Sequence, residues 1–162
     1  MQACRRFAQL AALAVSLSAA SAAFAATPTG NTVFRGSATG SVTFTTSFKA
    51  TDPLSFTVAS GGKELVSFSY SDTVCDLASS KVVQVGVVKL AADGSFAVAS
   101  VKSAPEGDAL EDGHKVVTTT TLSGKFVSPS EATGTLDYSQ KENNSAASHC
   151  GPIKLAFTAT AS

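Results

Sequence analysis

Apolar and polar residues alternate along most of this chain, and the alternation is clearest on both sides of Pro129. Successive side chains of a strand point to opposite faces, so a period of two predicts a β-hairpin with one face on a core and one in water. Pro129 presets φ for a turn and lacks the N–H that a central strand needs, so it marks the reversal. The apolar or small residues of the predicted inner face are Leu122, Gly124, Phe126, Ala132, Gly134, Leu136 and Tyr138.

The same period recurs through the rest of the chain, and glycine-containing turns near residues 61–63 and 92–94 separate the segments. We therefore predict an all-β fold, a single antiparallel β-sandwich of jelly-roll or immunoglobulin-like type or a flattened barrel. It has about nine strands and no significant helix after the leader segment. The predicted strands are 32–37, 41–48, 54–59, 64–71, 82–90, 95–102, 115–127, 132–139 and 152–160.

The segment from Val82 to Leu90 departs from this alternation because valine occupies most of its positions. A strand with few polar positions is typical of one covered on both faces. We therefore expect this segment to be buried on both sides.

The first 25 residues have the features of a secretory signal peptide. Arg5 and Arg6 precede a short apolar run that ends in Ala23-Phe24-Ala25, and small residues at the −3 and −1 positions are those that signal peptidase requires. We expect cleavage after Ala25, a short flexible tail over 26–31, one domain over 32–162, and a secreted or periplasmic location. No second apolar stretch follows in the sequence, so we expect no membrane span in the mature chain.

Charge excludes one class of partner. After removal of Arg5 and Arg6, ten basic side chains face twelve acidic ones, and the basic ones form no cluster. Binding to nucleic acid needs a cationic patch that displaces counterions from phosphate, so we expect no nucleic-acid partner. The sequence leaves the oligomeric state open.

Two cysteines, Cys75 and Cys150, remain in the mature chain. In an oxidising compartment two cysteines allow a single pairing, so we predict one disulfide. The Cys/His spacings of zinc sites are absent from the sequence around them.

Several short motifs follow one another between residues 54 and 160: FSY at 68–70, Cys75, DGSF at 93–96, SGKFVS at 123–128, ATGTL at 132–136, CGP at 150–152 and FTA at 157–159. This order resembles a group of uncharacterised secreted bacterial β-sandwich proteins with one disulfide between an early and a late cysteine. The resemblance implies the same fold and the Cys75–Cys150 bond, and it implies no activity.

Residues that could carry catalysis are scattered. A hydrolytic triad would need His114 or His149 beside an activated nucleophile, and the serines lie in strands without a nucleophile-elbow context. A glycosidase would use two carboxylates, but the chain has no Trp to stack on a sugar. The carboxylates considered are Asp72, Asp76, Asp93, Glu131 and Asp137, and we interpret them as turn and rim residues. We assign no catalytic residue and no cofactor.

One loop concentrates acidic residues: Glu106, Asp108, Glu111 and Asp112. Hard cations prefer clustered oxygen ligands, so these residues are the calcium candidates. The Asp-x-Asp-x-Asp-Gly spacing of an EF-hand is missing, and a solvated acidic loop is the simpler interpretation.

Hydroxyl side chains are dense on the predicted strand faces. Threonine-rich sheets can bind polymers, although threonine is also an ordinary strand residue. We therefore expect a secreted, non-catalytic module that binds a surface polymer or protein, and an extracytoplasmic hydrolase is the alternative. The hydroxyl groups concerned are Thr43/Thr45/Ser47, Ser67/Ser69/Ser71 and Thr118 to Thr121.

Overall fold

Eight antiparallel strands make up the regular structure in a computed structural model that describes residues 27–75, 81–103, 116–142 and 148–162. The described residues contain no helix, and therefore none that could cross a membrane. The all-β antiparallel fold predicted from the alternation is confirmed. The strands are β1 (Val33–Thr43), β2 (Ser47–Val58), β3 (Glu64–Asp72), β4 (Lys81–Lys89), β5 (Ser95–Ser103), β6 (Val116–Ser128), β7 (Glu131–Glu142) and β8 (Ser148–Ala161).

All eight strands belong to one sheet in the order β4-β3-β2-β1-β8-β7-β6-β5. Every neighbouring pair is also consecutive in the chain except β1 and β8, which pair from Phe34↔Ala161 to Thr39↔Ala156. The sheet curls until its two edges meet at a single bridge, Leu90↔Phe96. The fold is thus a nearly closed barrel with a seam between β4 and β5. We call the end at which β1, β3, β5 and β7 terminate the upper end.

The strand boundaries differ from the predicted ones around the first turn. The predicted strand 41–48 contains the reversal from β1 to β2, where the hydroxyls of Thr43 and Ser47 lie 2.8 Å apart. The segment Thr51-Asp52-Pro53, expected between strands, lies inside β2. Pairing between β2 and β3 ends at Leu54↔Tyr70, so Pro53 interrupts no ladder on that side. The three strands predicted over 32–37, 41–48 and 54–59 are therefore two longer strands, β1 and β2.

Phenylalanine rings fill the lower end of the barrel. Phe56 lies at the centre, with ring centroids 5.1 Å from Phe34 and 5.3 Å from Phe68 in stacked geometry. Phe126 meets Phe34 edge-on at 5.2 Å. These rings are fully buried, so their burial is a large stabilising term at this end.

Two inward-facing glycines leave room for further rings. Gly124 and Gly134 are directly paired between β6 and β7. A Cβ added to Gly124 would lie 2.5 Å from the Phe96 ring, and one added to Gly134 would lie 2.6 Å from the Phe157 ring. The absence of side chains lets both rings cover the backbone where the sheet curves, which explains why glycine interrupts the apolar face.

The predicted inner face of the β6–β7 hairpin is confirmed, since Leu122, Phe126 and Leu136 are buried. The expectation of a strand covered on both sides is wrong for β4. Val82 and Val87 are 54% and 61% exposed, because β4 is an edge strand of a single curled sheet and no second layer of described residues covers its outer face.

Candidate functional site

The upper end of the barrel contains two carboxylates with no solvent exposure, Asp52 on β2 and Asp72 on β3. The backbone N–H of Thr73 donates to Asp52 Oδ1 at 3.0 Å, and the Thr73 hydroxyl donates to the same atom. The hydroxyl of Tyr138 on β7 donates to Asp52 Oδ2 at 2.6 Å. Asp52 thus joins β2 to the segment after β3 and to β7.

Asp72 accepts hydrogen bonds on both of its oxygens. Its Oδ1 accepts the backbone N–H groups of Val74 at 3.0 Å and Cys75 at 2.8 Å, and it lies 3.2 Å from the Tyr138 hydroxyl. Its Oδ2 accepts Gln140 Nε2 at 2.9 Å. These donors replace the water that burial removes, which offsets the cost of placing a carboxylate in the interior.

Two tyrosines separate these acids from the phenylalanine rings below. Tyr70 and Tyr138 have ring centroids 5.2 Å apart, and the Tyr70 hydroxyl lies 2.9 Å from Thr120 Oγ1. Burial raises the pKa of both phenols far above the ordinary value, and the hydrogen bond to Asp52 raises the pKa of Tyr138 further. Both tyrosines are therefore neutral at physiological pH and can donate their protons in these hydrogen bonds.

Burial also raises the pKa of Asp72, while the N–H groups of Cys75 and Val74 and the charge of nearby Asp52 act with smaller weight. The N–H groups oppose the shift and Asp52 reinforces it. We call this set the polar centre: Asp52, Asp72, Thr73, Tyr138 and Gln140.

The polar centre holds the disulfide in place. Cys75 and Cys150 are bonded, with Cα atoms 5.5 Å apart, and Asp72 accepts the N–H of Cys75 directly. The disulfide predicted from the sequence is confirmed. Both acids are sealed from solvent and bonded to the backbone, an arrangement that stabilises the upper end and offers neither carboxylate to a bound substrate.

The other acids considered for catalysis lie apart from this centre. Asp93 lies in the β4–β5 turn, where Ser95 donates its N–H at 3.0 Å and its hydroxyl at 2.6 Å, which lowers the pKa of Asp93. Asp137 lies on the outer side of β7, where it is paired in register with Lys154 on β8, and Glu131 begins β7. The structure does not bring these three carboxylates together.

Several predicted features lie outside the described residues. They are the signal peptide 1–25, Asp76, His114 and the calcium candidates Glu106, Asp108, Glu111 and Asp112, and for His149 only the backbone is described. In the part of the chain that is described, no group of three or more His, Cys, Asp or Glu side chains is arranged to hold a metal ion.

A groove of about 310 Å³ crosses the outer face of the barrel over β1 to β4. Its polar side chains are Arg35 on β1, Ser55 on β2, and Ser69 and Ser71 on β3. Its apolar wall includes Pro53 and Val82. We call this surface the Arg35 groove. Its described lining includes no carboxylate and no imidazole, so its chemistry is that of a cation and several hydroxyls.

The strand register explains why these side chains converge. Arg35 is paired with Ser55, Ser55 with Ser69, and Ser69 with Gln84 on β4. Directly paired residues point to the same face of a sheet, so these four form one row across the strands. The Ser55 and Ser69 hydroxyls lie 3.3 Å apart. Neighbouring strands lie about 4.8 Å apart, so the row spans about 14 Å.

The predicted hydroxyl faces are only partly present. Thr43 and Ser47 are exposed at the β1–β2 turn, and Ser69 lies in the groove. The run from Thr118 to Thr121 is divided between the faces, because Thr118 and Thr120 are buried inside the barrel. A strand cannot present four consecutive side chains on one face.

Two larger concavities, about 510 and 450 Å³, lie at the lower end near the β4–β5 turn. The larger is lined mainly by apolar or small residues, including Leu90, Ala91 and Phe96. The smaller includes Lys63, Glu64 and Lys89, and Glu64 is paired in register with Lys89. Of these three concavities, the Arg35 groove is the one in which a guanidinium and three serine hydroxyls converge without a carboxylate.

Asp52 and Arg35 were both missed by the sequence analysis. Asp52 lies in a Thr-Asp-Pro sequence that is typical of a turn, and only its pairing with the buried Ala38 on β1 shows that it faces inward. Arg35 is the only arginine after Arg6, and its rarity is the one feature of the sequence that could have marked it.

No family model matches the chain, and neither the curated proteins nor the solved structures contain a match to it. The resemblance to secreted β-sandwich proteins therefore stays a prediction.

Proposed function

We propose that the protein is an exported, non-catalytic binding module that holds a polymer or protein partner of the cell envelope. The observation that carries the proposal is the Arg35 groove, where one unpaired cation and three serine hydroxyls converge on the outer face. Ligand sites commonly combine a concave surface with a few convergent polar groups. The disulfide supports export, because such bonds form and persist in oxidising compartments.

The barrel interior supports binding on the outer face. Phenylalanine rings fill the lower half, and the hydrogen-bonded polar centre fills much of the upper half. A ligand therefore meets the outer surface of the sheet. The alternative from the sequence, an extracytoplasmic hydrolase, would need reactive groups on an accessible surface. The described lining of the Arg35 groove instead offers a guanidinium and hydroxyls, without a carboxylate or an imidazole, and this set of groups favours recognition over hydrolysis.

The test is retention of the mature chain, residues 26–162, on insoluble envelope polysaccharide and on envelope protein fractions. A bulky side chain in the groove, Ser55→Tyr, should abolish retention. The control is Ser123→Tyr on β6, since Ser123 also lies in a strand and forms a cross-strand hydroxyl pair with Thr135, at 2.8 Å.

Equal retention of the wild type and Ser55→Tyr would overturn the groove as the binding surface. Hydrolysis of an envelope polymer by the wild type, lost in Ser55→Tyr, would replace the binding proposal with the hydrolase.

A further inference from the structure

The Arg35 guanidinium is exposed and forms no ion pair with any described residue. Glu64 is the single carboxylate that the described outer face of β1 to β4 carries, and Glu64 is paired in register with Lys89 at the end of β4. The other acids of these strands, Asp52 and Asp72, point inward and are bonded there. On the other side, Glu131 on β7 is paired in register with Thr160 on β8, so the nearest carboxylate of this row lies two strands, about 10 Å, from Arg35. Arg35 forms no ion pair with it, so its guanidinium stays available to a ligand.

The residues paired directly with Arg35, and those that continue the row toward β4, carry hydroxyl and amide groups. Thr160 on β8 is paired with Arg35 on one side, and Ser55 is paired with it on the other. Ser69 and Gln84 continue the row. Hydroxyl and amide groups both donate and accept hydrogen bonds, which is the chemistry that the hydroxyls of a sugar require. The exposed Pro53 and Val82 provide apolar surface along the same groove.

We propose that the Arg35 groove binds a saccharide that carries a carboxylate, with Arg35 holding the carboxylate and the serine row holding the adjacent sugar hydroxyls. A guanidinium presents a planar fork that matches a carboxylate in two parallel hydrogen bonds. The groove volume of about 310 Å³ lies at the low end of the range of ligand pockets, so it accommodates one or two sugar units of a longer chain. This inference rests on the proposed function and names its ligand class.

The overall charge of the chain makes the inference specific. The mature chain has ten basic and twelve acidic side chains, so its net charge does not attract a polyanion. Binding to an acidic polysaccharide therefore requires a local site.

The experiment measures the affinity of the mature chain for polygalacturonate by calorimetry, with dextran as the neutral polymer and galacturonate as the free sugar acid. We expect the chain to bind polygalacturonate, with an affinity that falls as the salt concentration rises. Galacturonate should bind more weakly and also through Arg35, and dextran should not bind. Arg35→Gln should reduce the affinity at least about tenfold, because it removes a charge-assisted pair of hydrogen bonds. Arg35→Lys keeps the charge and should lose less.

The matched control is Lys154→Gln on β8, which also removes one positive charge from the outer face. Lys154 is six residues, about 20 Å, along β8 from Thr160, the residue paired with Arg35. This variant should bind like the wild type. Three results would overturn the inference: equal affinity for dextran, equal affinity of Arg35→Gln and the wild type, or an equal loss in Lys154→Gln.

Failure of this inference is distinguishable from failure of the proposed function. If polygalacturonate does not bind but envelope retention is lost in Ser55→Tyr, the carboxylate-bearing ligand is wrong and the binding module stands. If Ser55→Tyr is retained like the wild type, the binding surface itself is wrong.

Discussion

The two ends of the barrel interior are built on different chemistry although the same strands cross both. On β2, Phe56 stacks on its neighbours in the lower half, whereas Asp52 accepts directed hydrogen bonds four residues away. On β3, Phe68 and Asp72 show the same change. Burial of rings is nondirectional and stabilises through apolar area, while a buried carboxylate is tolerated only with its donors in place. The lower end therefore stabilises the barrel mainly through buried apolar area. The hydrogen bonds of the upper end determine that β2, β7 and the segment after β3 lie together.

The largest effect should come from the lower end. Phe126→Ala removes a fully buried ring that contacts Phe34, and we expect it to lower the free energy of unfolding by about 3 to 5 kcal/mol. The neighbouring change Lys125→Ala, at an exposed side chain, should cost under about 0.5 kcal/mol. Urea unfolding of both variants measures the difference, and equal losses would show that the hairpin faces are misassigned.

The next effect separates the two tyrosines of the upper end. Tyr138→Phe removes the hydroxyl that lies between Asp52 and Asp72, and a hydrogen bond to a charged group is worth about 1.5 to 3 kcal/mol. Tyr70→Phe removes a bond to the neutral Thr120, worth about 1 kcal/mol. Thermal unfolding should therefore show a larger loss for Tyr138→Phe, and the reverse order would mean that the polar centre does not depend on its shared phenol.

A third effect is a dependence on pH that only the upper end should show. Burial raises the pKa of Asp72 above its ordinary value of 3.8, so between the two values the folded chain binds more protons than the unfolded chain. The contribution of Asp72 to stability is therefore present at low pH and is lost as pH rises through the folded pKa. Unfolding of the wild type and Asp72→Asn across a pH series from about 4 to 7 should show the wild type losing stability relative to the variant.

Asp93 is the control for this effect because its shift has the opposite sign. The Ser95 hydroxyl and N–H lower the pKa of Asp93, so its contribution is lost as pH falls below about 4. Parallel pH curves for the wild type and Asp72→Asn would contradict a raised pKa at Asp72.

The smallest effect concerns two buried threonines of β6. Thr118 Oγ1 has no hydrogen-bond partner among the described residues, whereas Thr120 Oγ1 bonds to Tyr70. Thr118→Val should raise the free energy of unfolding by about 1 kcal/mol, and Thr120→Val should lower it by about 1 kcal/mol. Calorimetric melting measures both. A loss of stability in Thr118→Val would contradict an unsatisfied hydroxyl at this position.

The sequence predicted those parts of the fold in which the alternation runs without interruption. The faces of β6 and β7 follow a strict period of two around Pro129. The disulfide was predictable because only two of the three cysteines, Cys75 and Cys150, lie beyond the predicted signal peptide. On β3 the period fails, because Leu65 and Phe68 both face inward while Val66 does not. A bulge at Ser67, with φ at 56°, shifts the register and reverses the faces.

The polar centre and the Arg35 groove could not be predicted because both depend on pairing between strands. Asp52 and Asp72 are 20 positions apart in the chain, and Tyr138 reaches them from β7. Arg35 and Ser69 share a row only because β2 lies between their strands. A period within one strand gives the face of a residue, and it does not give the register that sets its neighbours.

The pairing of β1 with β8 has a consequence for the order in which the chain can fold. Strands β1 to β4 and strands β5 to β8 are two meanders of local hairpins, and the β1–β8 ladder together with the Cys75–Cys150 bond joins them. The first meander keeps an unpaired edge on β1 until β8, near the end of the chain, has been synthesised. Contacts of such long sequence separation form slowly, since loop closure precedes their gain. Closure of the barrel therefore waits for β8, and the Cys75–Cys150 bond, which joins the segment after β3 to β8, can form only at that stage.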